Sequence, residues 1–273
     1  MKLLKIVLSI ILAVCFMSSL VITYGLTAIN AEETSAPEII ELCKEEIPAT
    51  MDYETAFGKG HVKRMYDEES DLNTAVFLNG DGSRSLYLFY ENIKYVDESG
   101  VVRDKSNALS ESEGGYENEA NDLKVRYGKS VTEGVKLSFD KYEIVMTPVE
   151  ASQSAGPALP KSDEKSGEIN GVTYANVFGE GTSVVYTQSL SGVKEDIVLE
   201  YDTGKRRFSF CVKTNGARLE QAADESGKIY VVDPETGKRI SELSGITAWD
   251  SAGLYAKGKY TLGDGANENE YIV

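Results

Sequence analysis

Thr74-Ala75-Val76-Phe77-Leu78, Asn79-Gly80-Asp81-Gly82 and Ser85-Leu86-Tyr87-Leu88-Phe89-Tyr90 decide the fold class. Two apolar, strand-favouring runs flank a turn rich in Asn and Gly, which accept positive φ, so the stretch reads as a hairpin. The pattern extends outward. Ile93-Lys94-Tyr95-Val96 continues it, Asp97-Glu98-Ser99-Gly100 turns, and Val101-Val102 begins another short strand. Residues 104–121 are polar and read as a loop. Leu123 to Tyr127 and Val135-Lys136-Leu137-Ser138-Phe139 alternate again. So does Tyr142 to Met146, with Tyr142, Ile144 and Met146 on one face. Side chains that alternate with period two place one face of a sheet inside and leave the other wet, as antiparallel sheets allow.

Residues 150–168 hold Ser, Ala, Gly, two prolines and charges without periodicity, and read as a linker or a long exposed loop. A second strand-rich block follows from Val172 to Phe178, Ser183 to Thr187, Val193 to Tyr201, Arg207 to Lys213 and Lys228 to Val232. Val193, Ile197, Leu199 and Tyr201 fall on one face of their strand, and Lys194, Asp196, Val198 and Glu200 on the other. Asp202-Thr203-Gly204-Lys205 and Asp233-Pro234-Glu235-Thr236-Gly237 are turns. No long 3.6-residue period occurs after Asp71. The expected fold class is all-β: two antiparallel sandwich-like modules, 71–149 and 169–273, joined by 150–168. The second stops at Tyr271-Ile272-Val273 inside a strand pattern, as fragments of longer chains do.

Upstream, Lys2 and Lys5 precede an almost wholly apolar run from Ile6 to Ile22, and Ala31 precedes Glu32-Glu33. Residues 1–31 read as a secretory signal peptide cleaved near Ala31. The alternative is a retained single-span anchor. Residues 32–70 form an acidic lead-in, mobile or partly helical, with a short helix over Pro37 to Ile47.

Removing residues 1–31 leaves 26 Lys+Arg against 44 Asp+Glu, a net charge of −18. Such a surface repels nucleic acid and anionic lipid, so neither is an expected partner, and no membrane contact is expected after cleavage. The expected location is outside the cell. Only Cys43 and Cys211 remain, too few for a disulfide framework. Cys211 shares the outer strand face with Ser209 and Lys213 and reads as a partly exposed free thiol, with a bridge to Cys43 as the other reading.

Little chemistry is assembled in the pattern. His61 is the single histidine, too few for a histidine-based metal site. No Gly-x-Ser-x-Gly elbow occurs, and Cys–His catalysis would need His61 beside Cys43 or Cys211. Carboxylates are abundant, but a glycosidase needs a pair at a defined separation. Asn79-Gly80-Asp81-Gly82-Ser83 resembles the start of a calcium loop, yet Arg84 and Tyr90 occupy the sixth and twelfth positions, so a hairpin turn is the reading. Gly263-Asp264-Gly265 is a similar, weaker case. Tyr87, Phe89, Tyr90 and Tyr95 could stack on sugar or fill the sheet faces. Trp249 reads as a packing anchor between strands. In Gly192-Val193-Lys194-Glu195-Asp196-Ile197, Lys194 and Glu195 point to opposite faces. Glu195 among Val193 and Ile197 needs a partner or a strand-end position: a buried ion pair is expected, with ligand binding as the alternative.

Several segments together resemble the N-terminal region of secreted, wall-associated RHS-repeat and DNRLRE-domain proteins of Gram-positive bacteria. They are Asn170 to Phe178, Thr182 to Tyr186, Ser191 to Leu199, and Trp249-Asp250-Ser251-Ala252-Gly253. In the first block, His61-Val62, Asp81-Gly82-Ser83, Tyr95 to Gly100 and Tyr116 to Val125 fall in the same order. The resemblance covers roughly residues 57–262. Gly100-Val101-Val102-Arg103-Asp104 departs from it by lacking the family's tryptophan, and neither DNRLRE modules, RHS repeats nor a toxin domain are present. The resemblance implies a secreted or cell-wall associated scaffold or delivery region preceding a displayed payload, with a cell-wall polymer or that payload as partner. It implies no catalytic residues, so no catalytic, cofactor-binding or metal-binding residue is assigned, no cofactor is expected and the chain is not expected to be an enzyme. A carbohydrate- or surface-binding adhesin and a secreted glycoside hydrolase are the alternatives.

Overall fold

Asn79 to Ser83 closes the hairpin that the sequence announces. The amide of Asn79 donates to Ser83 O at 2.9 Å, Gly82 takes φ +81°, and Asp81 Oδ1 accepts from the Ser83 amide at 2.9 Å and hydroxyl at 2.6 Å. The Asp81 carboxylate is thus engaged within its own turn, as turn chemistry requires. The computed structural model describes residues 6–13 (backbone only), 42, 46–51, 56, 58–164, 166–224 and 227–273. Nearly all regular structure there is strand, as expected, and the chain divides into two compact units: 16–106, and 1–15 together with 107–273.

The first strand of the chain is β1 (Ile6–Ala13), which belongs to the larger unit. The smaller unit follows. Strands β2 (His61–Arg64), β3 (Thr74–Asn79) and β4 (Arg84–Leu88) form a three-stranded antiparallel sheet. A hairpin of β5 (Lys94–Val96) and β6 (Val102–Asp104) accompanies it. Asp97 Oδ1 caps that hairpin by accepting from the amides of Ser99 and Val101, both at 2.9 Å.

In the larger unit, one sheet contains β7 (Leu109–Ser112), β8 (Gly115–Asn118), β9 (Lys124–Gly128), β10 (Val135–Phe139) and β11 (Tyr142–Pro148). The other starts with β12 (Leu159–Ser162), β13 (Ile169–Tyr174), β14 (Thr182–Gln188) and β15 (Gly192–Leu199). The chain then returns to the first sheet with β16 (Phe210–Asn215) and to the second with β17 (Arg218–Gln221), β18 (Ile229–Val232), β19 (Arg239–Leu243), β20 (Thr247–Trp249) and β21 (Tyr255–Lys257). It ends in the first with β22 (Gly263–Asp264) and β23 (Glu270–Ile272). One apolar core joins Val125, Leu137 and Ile144 of the first sheet to Val172, Ile197 and Ile229 of the second. Each fully buried aliphatic there contributes about 1.5–3 kcal/mol. Two tyrosine hydroxyls clasp the sheets: Tyr174 donates to Gly128 O at 2.6 Å and Tyr127 to Gln188 Oε1 at 3.1 Å.

Several expectations are corrected. The division at 150–168 does not exist, because β16 runs beside β11 from Pro148↔Phe210 to Glu143↔Asn215. Alternation shows which way a side chain points but not which strand lies next door. Residues 150–168 are not a linker. Their backbone is tied by Ser152 N to Val177 O, Gly156 N to Ala175 O and Ala158 N to Lys129 O, and Leu159–Ser162 is an edge strand, where Pro160 is tolerated. The polar stretch 104–121 holds the β7–β8 hairpin. There Gly115 takes φ +126°, and a Cβ at that position would lie 2.0 Å from Tyr127 O. The lead-in ends before His61, since β2 pairs with β3. The helix expected over Pro37 to Ile47 and the partner thiol Cys43 fall largely or wholly outside the described residues. Of the expected signal peptide only Ile6–Ala13 is described, and its backbone is a strand.

Candidate functional site

The interior face of β15 carries Val193, Glu195, Ile197 and Leu199, as the alternation requires. Glu195 stands directly opposite Tyr186 of β14 and is 1% exposed. Among the described residues, neither of its carboxyl oxygens has a hydrogen-bond partner. Burial pushes its pKa up to about 8; the neighbouring Tyr186 hydroxyl opposes the shift without reaching hydrogen-bond geometry, and Asp196 adds slightly to it. At neutral pH the side chain is mostly a neutral carboxylic acid, the form that a dry site favours. The Tyr260 hydroxyl, also buried, has no partner among the described residues, and burial first and an ionised Glu195 second push its pKa up. Tyr186 packs between Tyr127 and Tyr174, with ring centroids 5.7 and 6.1 Å away. The ion pair expected for Glu195 is absent among the described residues. The adjacent cation, Lys194, lies on the opposite face and pairs with Asp196 at 2.8 Å. An isolated protonated acid can hold or release one proton. It does not form the carboxylate pair that glycoside hydrolysis uses.

In the smaller unit His61 is 3% exposed. Its Nδ1–H donates to Asn79 Oδ1 at 2.5 Å, since that oxygen only accepts, and its Nε2 accepts from the Tyr87 hydroxyl at 2.6 Å. The ring stacks on Phe77 at 4.9 Å. With both nitrogens engaged, His61 is a structural crosslink between β2, β3 and β4 rather than a free base.

A second buried polar group lies in the same unit. The Arg64 side chain is wholly buried, with Nε 2.8 Å from Glu69 and Nη2 2.8 Å from Asp104. Lys94 Nζ reaches the other Glu69 oxygen at 2.5 Å, and Tyr66 donates its hydroxyl to Asp104 while its ring faces the guanidinium. Burial alone would raise the Glu69 pKa, but hydrogen bonds from Arg64 and Lys94 outweigh it and hold the carboxyl below its ordinary value. Burial likewise works against the Arg64 cation and is outweighed by Glu69 and Asp104. Two cations and two carboxylates compensate one another, which suits a structural network. Sequence reasoning missed it: the partners lie five, thirty and forty residues from Arg64 with no spacing that marks them.

Other residues singled out in the sequence are placed plainly. Cys211 is a free, half-buried thiol on β16, beside Lys213 on the outer face. Trp249, expected as a packing anchor between strands, stands between Val7 and Tyr255 in the strand register and is 36% exposed, with Lys194 Nζ 5.9 Å from its ring. Tyr87 serves His61, and Tyr90 is exposed. Gly263-Asp264 is the short strand β22. Among the described residues no cluster of three or more His, Cys, Asp or Glu could hold a metal ion, and no helix is long and apolar enough to cross a membrane.

Fold and sites together define an acidic antiparallel β protein whose buried polar groups are predominantly structural. No family model matches the chain, and no solved structure matches it. It is similar to the tRNA3(Ser)-specific nuclease WapA of Bacillus spizizenii, 25% identical over 243 aligned residues that cover 79% of this chain and 10% of that protein. The chain thus spans about a tenth of the length of the curated relative it matches. That relative is named as a nuclease, which overturns the expectation that the chain is not an enzyme.

Proposed function

We propose that this chain is the β-structured leading part of a longer, exported, wall-associated nuclease, and that its role there is to present and deliver the remainder. The observation that carries the reading is the similarity to one tenth of the nuclease WapA, spread over most of this chain. Three features support it: the signal-like Lys2 to Ala31 segment, the resemblance of residues 57–262 to RHS/DNRLRE leading regions, and a fold whose buried polar groups brace strands. The cell-wall polymer and the payload are the partners this reading names.

The test is genetic and biochemical. The reading frame should continue past the Val273 codon, and deleting residues 107–273 from the continued protein should move it from the wall fraction into the medium. A stop codon followed by an unrelated gene, or an unchanged wall fraction, contradicts the proposal.

A further inference from the structure

The second sheet of the larger unit has ten strands with β1 included, and it is continuous only through β1. On one side β1 runs antiparallel to β15 through eight residue pairs, from Ile6↔Leu199 to Ala13↔Gly192. On the other it pairs Leu12 and Ala13 with Leu243 and Glu242 of β19, and Val7, Leu8 and Ser9 with Trp249, Ala248 and Thr247 of β20. Without β1, strands β12 to β15 and strands β17 to β21 face each other across one empty strand position, about 9–10 Å wide at two strand spacings. Interior residues from both blocks, Tyr186 and Ile197 on one side and Ile229 and Leu243 on the other, belong to the same core. Packing on the first sheet therefore holds both blocks in place around the opening. At the Ile6–Leu8 end, Ile197, Leu199, Phe208 and Ala248 line an apolar groove rimmed by Lys205 and Lys257.

The segment in that position is the apolar run that export would remove. Its loss would leave an eight-residue edge of unpaired amides and carbonyls flanked by apolar side chains, the surface that strand addition fills. We infer that the position between β15 and β19–β20 is a strand-acceptor site. Ile6–Ala13 holds it before export; afterwards an extended apolar segment from this protein's own continuation holds it, antiparallel to β15. A second copy is a poor donor, because its own mature form carries the same vacancy and, among the described residues, every other strand is already paired. The inference rests on the chain being the leading part of a longer protein, and the relative, about ten times longer than the matched region, indicates how much chain that could supply.

The test keeps the chain whole until it has folded. The 273-residue chain, made without export, carries an inserted protease site between Thr27 and Ala31. It is cut after folding, and the released segment is removed by gel filtration. Hydrogen exchange then follows the amides of Gly192–Leu199. Protection at β15 should fall at least about tenfold while β10 and β11 keep theirs. An uncut Ile10→Pro chain should show the same loss, and if it does not fold the cut chain gives the reading alone. Unchanged β15 protection overturns the acceptor site. In the continued protein, treated identically, β15 should stay protected; loss there overturns the proposed occupant. Neither readout depends on wall retention, so this inference and the proposed function can fail separately.

Discussion

The smaller unit pairs the charges it buries, whereas the larger unit pairs its buried Asp233 with Lys141 and Tyr142 but leaves the buried acid Glu195 without a partner among the described residues. Arg64 meets Glu69 and Asp104, and Lys94 completes the set. Glu195 sits opposite Tyr186, between Val193 and Ile197 along its strand face, with both oxygens unsatisfied among the described residues. Both arrangements answer the same difficulty, the desolvation of an ionised group, once by compensation and once by protonation. They couple stability to pH with opposite signs. Glu69 has a lowered folded pKa, so its contribution is present above the ordinary carboxylate range and is lost as pH falls through the folded value. Glu195 has a raised one, so its contribution is full below its ordinary value of 4.5 and is lost as pH rises through about 8.

The largest expected effect comes from breaking the paired side. Arg64→Met leaves Asp104 without its guanidinium and Glu69 with Lys94 alone, and should cost about 3–5 kcal/mol in the smaller unit. Urea unfolding followed by hydrogen exchange at β3 measures it; a loss below about 1 kcal/mol would mean the cluster is not compensating buried charge. Next is the unpaired side. Glu195→Gln cannot ionise, so at pH 8 it should be more stable than the native chain by on the order of a few kcal/mol, with the advantage gone by pH 5. Thermal unfolding at the two pH values checks this, and a variant less stable at pH 8 contradicts it.

Two hydroxyl deletions sharpen the contrast. Tyr87→Phe removes the partner of a buried histidine and should cost about 1 kcal/mol. Tyr260→Phe removes a hydroxyl that has no partner among the described residues and should be neutral or stabilising by up to about 1 kcal/mol. Equal losses from both would erase the distinction between a satisfied and an unsatisfied interior.

Much of this fold was legible and much was not, for physical reasons. The Asn79-Gly80-Asp81-Gly82 turn and the inward set Val193, Ile197 and Leu199 follow from local conformational preference and side-chain period, so they could be read directly. The pairing of β11 with β16 could not, because residues more than sixty positions apart choose each other through packing that no local pattern encodes. Leu159–Ser162 was hidden because an edge strand buries little and shows no alternation. At the sites, the inward direction of Glu195 was visible in Val193-Lys194-Glu195-Asp196-Ile197, but its lack of a cation was not. Arg64 lay in the stretch read as a mobile or partly helical lead-in, and only the fold brings Glu69, Lys94 and Asp104 around it.

The most direct test of this contrast is a titration of the Glu195 carboxyl carbon by NMR, assigned by its disappearance in Glu195→Gln. The account predicts a protonated acid at pH 6, titrating near pH 8 while the fold persists. A carboxylate already ionised at pH 6 would contradict it.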